Sequence, residues 1–155
     1  MHSYKPSLLF DRTPEHKHDI FKSWERDDQA FFAAGACHIL ADLFVQLHQD
    51  EGFKMVCIKP NKGFAGNHAY ASNGKWAFDH NGWTKEDELL RVTAEAYRQR
   101  YPGWGYTKYT IEPAIDALEK FCKANNHRLP WQFAQLPWER AYTYIQRFSS
   151  SPPAL

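Results

Sequence analysis

Apolar residues between 35 and 48 recur at helical spacing. Ile39, Leu40, Leu43, Phe44 and Leu47 share one face, which predicts a helix from near Gly35 to about His48. The apolar run from Phe53 to Lys59 reads as a strand, closed by the loop Pro60-Asn61-Lys62-Gly63. Next come His68-Ala69-Tyr70-Ala71-Ser72 and Lys75-Trp76-Ala77-Phe78-Asp79, on either side of Asn73-Gly74. Asn-Gly favours a two-residue turn whose central positions both need positive φ, so a hairpin is expected. Asn81-Gly82 predicts the turn after it. The remainder reads as helical. Thr84 and Asp87 have capping-box spacing, and their helix should end before Pro102-Gly103. Pro113 suits a first helical position ahead of Ile115, Leu118 and Phe121, and Pro137 opens a last helix through Ala141, Ile145 and Phe148. Residues up to about 28 are polar and predict an irregular arm with a helical turn or two. The Ser- and Pro-rich stretch 149–155 predicts a frayed tail. Helices bracketing a small antiparallel sheet make an α+β domain, and the absence of repeats or long linkers predicts a single one over 1–155.

The hairpin carries the chemistry. If Asn73 and Gly74 are the loop, Ser72 pairs with Lys75, and counting outward sets His68 opposite Asp79. Opposed side chains share a face, with Cβ atoms about 4.5–5.5 Å apart. A carboxylate there fixes the imidazole tautomer and stabilises its charged form. Ala69, Ala71, Trp76 and Phe78 make the other, apolar face, with His80 on that side, and suit packing on a helix. Cys37 follows Gly35-Ala36 at the expected start of the first helix. A helix N-terminus and a nearby imidazolium both favour a thiolate, and the Cys37 amide is placed to donate to an oxyanion. Cys37 as nucleophile, His68 as base and acid, and Asp79 as its orienter form a coherent set.

Composition narrows the alternatives. The aromatic fraction of 16% supplies one packed core, against a disordered chain. The net charge is +1, and Lys17, Lys22 and Arg26 alternate with Glu15, Asp19 and Glu25, so no basic cluster marks a nucleic-acid partner. No apolar run approaches the roughly 20 residues that cross a bilayer, and Met1 to Phe10 lacks the pattern of a secretory signal. Three cysteines, Cys37, Cys57 and Cys122, form neither a disulfide framework nor a C-x-x-C pair. A reducing, cytoplasmic setting is expected, with export as an effector lacking a cleavable signal left open. No membrane association and no cofactor or metal are expected.

Gly35-Ala36-Cys37 opening a helix, then His68 and Asp79 on successive strands, resembles the core of papain-like and transglutaminase-like thiol enzymes. Papain-fold bacterial toxins and effectors share this layout. The resemblance covers Cys37 to Asp79, about a quarter of the chain. It implies acyl transfer through a thioester, as in a peptidase, amidase or protein-glutamine deamidase, on a protein or peptide side-chain substrate. Papain-like enzymes place a Gln a few residues before the Cys for the oxyanion; Gln29 is eight before. His38 stands where many members carry an aromatic residue, and Trp83 is a candidate wall of the site.

Each feature has a plainer reading. Cys37 can be core filler, as expected for Cys57 and Cys122. His68 and Asp79 can be a cross-strand pair that only steadies the hairpin. His38 suits a helix surface or a supporting position, and His48 suits capping of a helix end. His16-x-His18-Asp19 lacks an obvious third metal ligand. Trp104, within Tyr101-Pro102-Gly103-Trp104-Gly105-Tyr106, either lines a cleft or pins a loop to the core. Trp131 and Trp138, beside Pro130 and Pro137, suit packing of helix ends. The alternatives to a thiol enzyme are a non-catalytic binding module or effector/immunity-type protein of the same fold, and a metal-dependent hydrolase using several of the eight histidines.

Overall fold

The computed structural model describes residues 3–154. Among the described residues seven helices surround a five-stranded antiparallel sheet, an α+β architecture. Four helices come first: α1 (Pro14–His18), α2 (Ile20–Trp24), α3 (Asp28–Ala33) and α4 (Cys37–Leu47). The strands are β1 (Lys54–Pro60), β2 (His68–Ser72), β3 (Trp76–Asp79), β4 (Gly82–Lys85) and, after α5 (Glu86–Arg100), β5 (Tyr106–Ile111). Helices α6 (Ala117–Asn125) and α7 (Trp138–Ile145) follow. The strand order is β4-β3-β2-β1-β5. Among the described residues no helix is long and apolar enough to cross a membrane.

Both faces of the sheet are covered, which explains why every residue of β2 and β3 is buried. Helix α4 lies across β2 and touches β1, β3 and α7. Its Ile39, Leu40 and Phe44 join Ala71, Trp76 and Phe78, so the apolar face expected of the hairpin does meet a helix. The other face carries Val56, Ile58, Tyr70 and Ala77 under Leu89 and Tyr97 of α5. Tyr4 and Leu8 of the N-terminal arm are buried there too. Trp104 is buried against Tyr97, with its indole N–H on the Ala65 carbonyl, so the aromatic loop is pinned to the core.

Several local expectations are corrected. The Asn73-Gly74 turn is displaced by one residue: Ser72 pairs with Ala77 and Ala71 with Phe78, so Gly74 and Lys75 are central. Only Gly74 has positive φ, the pattern of a Gly-X hairpin turn. Asn73 precedes the turn instead, its Oδ1 accepting from the amides of Lys75 and Trp76. Extending that register sets Tyr70, not His68, across from Asp79. The change moves every pairing by two residues, so each side chain keeps its face. His68 and Asp79 therefore meet diagonally. The next turn is His80-Asn81, with Gly82 already in β4. Thr84 is a strand residue and caps nothing; α5 starts at Glu86. Helix α6 begins at Ala117, leaving Pro113 outside it and Ile115 exposed. Strand β5 has no counterpart in the sequence pattern: it is an exposed edge that pairs with β1, so no burial alternation marks it. Trp131 is exposed rather than packed on a helix end.

Phe44 fixes α4, and with it Cys37, on the sheet. It is 1% exposed and stacks on Phe78 at 4.2 Å between ring centroids, with Phe53 and Trp83 edge-on. Phe44→Ala is expected to cost about 3–5 kcal/mol, read by denaturant unfolding. A loss under about 1 kcal/mol would mean that α4 is held by other contacts.

Candidate active site

Cys37 is the first residue of α4. The chain reaches it through Gly35, whose φ of 123° is open to glycine; a Cβ there would also press to 3.4 Å from Arg12 Cδ. The leading amides of Cys37 and His38 have no intrahelical acceptor. The Ala69 N–H donates to Cys37 Sγ at 3.4 Å. Cys37 is 4% exposed. It forms part of the wall of a cleft of about 780 Å³, together with Arg12, Gly66, Asn67, Tyr97, His127 and Arg128.

His68 and Asp79 are both buried, and His68 Nε2 lies 3.0 Å from Asp79 Oδ2. The diagonal offset costs the pair nothing, because an imidazole is long enough to span it. The carboxylate is fully served: Tyr4 Oη donates to Oδ2 at 2.6 Å, and the Asn81 amide donates to Oδ1 at 2.9 Å. Burial opposes a charge on Asp79, but His80, His68 and Tyr4 outweigh it and hold the carboxyl below its usual range. With Nε2 committed to Asp79, His68 Nδ1 has no conventional hydrogen-bond partner. Burial would depress His68, yet Asp79 and Cys37 push it up to about 10. Burial likewise opposes a thiolate at Cys37, but the His38 and His68 imidazoles override it and draw the thiol well below its ordinary value. The protonation of Cys37 and His68 is thus coupled, with His68 Nδ1 left without a hydrogen bond.

A second imidazole pair flanks Cys37. His38 is completely buried, not a helix-surface residue. Its Nε2 donates to the Arg128 carbonyl at 2.7 Å, and its Nδ1 lies 3.0 Å from His127 Nδ1. The protons can be placed from the far end of the network. The Phe121 carbonyl can only accept, so Asn125 presents Nδ2 to it. Asn125 Oδ1 then accepts from Asn67 Nδ2 at 3.1 Å. That turns Asn67 Oδ1 toward His127 Nε2, 3.0 Å away, which must donate. Both Nε2 atoms therefore carry protons, and the facing Nδ1 atoms share one more. Burial favours neutrality at both rings, but the Cys122 and Cys37 contacts push His38 up to about 9, while burial and neighbouring cations push His127 down to about 4. His38 holds the charge.

Other expected residues lie elsewhere. Gln29 is not at the cleft; its Nε2 reaches the His80 carbonyl at 3.4 Å, so it is no oxyanion donor. Trp83 packs with Phe44, Phe53 and Phe78, away from the cleft, and is not a wall of the site. His80 Nε2 meets the Lys5 carbonyl. His48 is the C-cap residue of α4 and stacks on Phe44. His16 is spent in the cap of α1, and His18 lines the cleft rim. Cys57 and Cys122 are buried and unpaired. Among the described residues two groups have the proximity of metal ligands: Cys37, His38 and His127, and His68, Asp79 and His80. In the second, Tyr4, His68 and Asn81 already use the carboxylate. Sequence patterning does not mark Tyr4, Asn67, Asn81 or His127 for the site: Tyr4 and His127 arrive from distant segments, and Asn67 and Asn81, beside His68 and Asp79, carry no motif beyond that of loop and turn residues.

The Tyr4–Asp79 bond sets a pH dependence. Asp79 titrates below its ordinary value of 3.8, so its stabilisation is complete above that value and is lost as pH falls toward the lower folded one. Tyr4→Phe removes one cause of the depression. It should cost about 1–3 kcal/mol at neutral pH and move the midpoint of acid unfolding upward. Thermal melts from neutral to acidic pH measure both; an unchanged acid limb would show that Tyr4 does not hold the carboxylate. The chain matches no family model, no curated protein and no solved structure.

Proposed function

We propose that this protein is a thiol-dependent hydrolase or acyltransferase of papain-like or transglutaminase-like type, working through Cys37, His68 and Asp79. The observation that carries the reading is the placement of the Cys37 thiol at the wall of the cleft, coupled to a buried His68 that Asp79 orients. The chain order Cys, His, Asp adds to it. In the proposed cycle Cys37 Sγ attacks the acyl carbon, and the carbonyl electrons move onto oxygen. The leading amides of α4 offer that oxygen donors. His68 passes its proton to the departing amine, leaving a thioester on Cys37. Water, or an amine in transfer, gives its proton to His68 and releases the acyl group, restoring the thiolate–imidazolium pair.

The proposed substrate is a protein or peptide side chain, since the thiol lies in the wall of a cleft that Tyr97 and Tyr101 also line. Arg12, Lys17 and Arg128 on the same walls suit an acyl donor with a carboxylate nearby. Three unpaired, buried thiols favour a reducing compartment such as the cytoplasm. One observation favours the other reading, a non-catalytic module: Cys37 is only 4% exposed, as inert cysteines are.

The two readings separate with an activated acyl ester such as p-nitrophenyl acetate. The native protein should release nitrophenolate in a burst and carry the acetyl group on Cys37, located by peptide mass spectrometry. Cys37→Ala should lose both burst and adduct, and His68→Ala should slow acylation by about 10²–10⁴-fold, with far-UV circular dichroism unchanged. A burst that survives in Cys37→Ala would defeat the mechanism. Failure of the native thiol to acylate would favour the binding module.

A further inference from the structure

The pair His38–His127 is built differently from a buried histidine that merely fills space. Both rings have Nε2–H groups anchored on oxygen: His38 on the Arg128 carbonyl, and His127 on Asn67 Oδ1, whose orientation is set back to the Phe121 carbonyl. The anchors leave both Nδ1 lone pairs turned toward one another, 3.0 Å apart. Two facing lone pairs repel unless a cation lies between them. In the metal-free protein that cation is a proton.

Cys37 completes the set. Cys37, His38 and His127 each offer a ligand atom, and these atoms lie within 4.8 Å of one another. One thiolate and two imidazoles match the donor set of a borderline-soft divalent ion. Imidazoles whose second N–H is fixed on a carbonyl or amide oxygen are the supporting arrangement that such ions use. The ligands come from the start of α4 and from the turn after α6, so the site needs the folded protein. Cys37 and His127 both line the cleft, which gives an ion a way in and leaves a fourth position for water.

We propose that Cys37, His38 and His127 form a binding site for Zn(II), which replaces the proton shared by the two imidazoles. Binding releases that proton, and any proton on Cys37, to solvent; no electron is transferred. The ion bonds the same sulfur that the thiol mechanism needs, so it switches acylation off. This inhibitory consequence rests on the thiol-enzyme reading, whereas metal binding itself does not. Asn67 is a positioning residue here, holding the His127 tautomer.

Co(II) serves as the spectroscopic probe. Titrated into the chelator-treated full chain, it should give thiolate-to-cobalt charge-transfer absorption and the visible bands of a four-coordinate centre, both abolished by stoichiometric Zn(II). His127→Ala should remove the signal. Asn67→Ala should weaken Co(II) binding by about 10–100-fold while keeping the charge-transfer band. Zn(II) should also shield Cys37 from iodoacetamide, and a chelator should reverse this. His127 and Asn67 lie on the cleft wall, so these variants test the site even if buried His38 tolerates no change. Absence of a charge-transfer band, or an unaltered band in His127→Ala, overturns the proposal. A cobalt site in a protein that never acylates would uphold the metal and defeat the thiol enzyme; rapid acylation without a cobalt site would do the reverse.

Discussion

A single buried carboxylate organises the centre of this molecule. Asp79 takes the Tyr4 hydroxyl and the His68 imidazole on one oxygen and the Asn81 amide on the other. An ionised carboxylate taken from water loses several kcal/mol of hydration unless such donors replace it. That requirement ties three separate pieces of chain together: the N-terminal arm, β2, and the turn between β3 and β4. It also leaves His68 with one nitrogen occupied and the other without a hydrogen-bond partner.

Around Cys37 the protein concentrates imidazole. His68 lies on one side, backed by Asp79. His38 and His127 lie on the other, backed by backbone carbonyls and two asparagines. Each imidazole that holds a proton next to the sulfur favours the thiolate, against the effect of burial. An acyl-transfer nucleophile benefits from that environment, and so does a soft-metal ligand. The two uses compete for one atom, so occupancy by an ion would control reactivity at the thiol.

The architecture supports this by covering the sheet on both sides. Helix α4 on one face sets the height of Cys37 over β2, through Phe44 on Phe78. The arm and α5 close the other face over Tyr70 and Ala77. Gly66 lets the chain pass the stacked Tyr97 and Trp104 at the cleft: a Cβ there would come within 2.9 Å of Tyr97, and its φ is 121°. The cleft is therefore shaped by aromatic packing, while Arg12 and Arg128 on its walls come from segments outside helix and strand.

The sequence by itself determined the α4 helix, β1, the hairpin and α7, because each carries a local signal: helical spacing, an apolar run, a turn glycine or a proline at a helix entrance. It also put His68 and Asp79 on one face. That inference holds despite the one-residue shift of the turn, because the pairing moves by two residues and side-chain direction in a strand repeats every two. Tertiary structure decided the rest. The exact hairpin register followed from the Asn73 side chain capturing the Lys75 and Trp76 amides, one of two turns that the same residues allow. β5 depends on β1 for its pairing and has no buried face to announce it. Tyr4 and His127 reach the site across 75 and 89 residues of chain, to Asp79 and His38 respectively. Contacts of that range leave no periodicity in the sequence; they exist only once the core has brought the segments together.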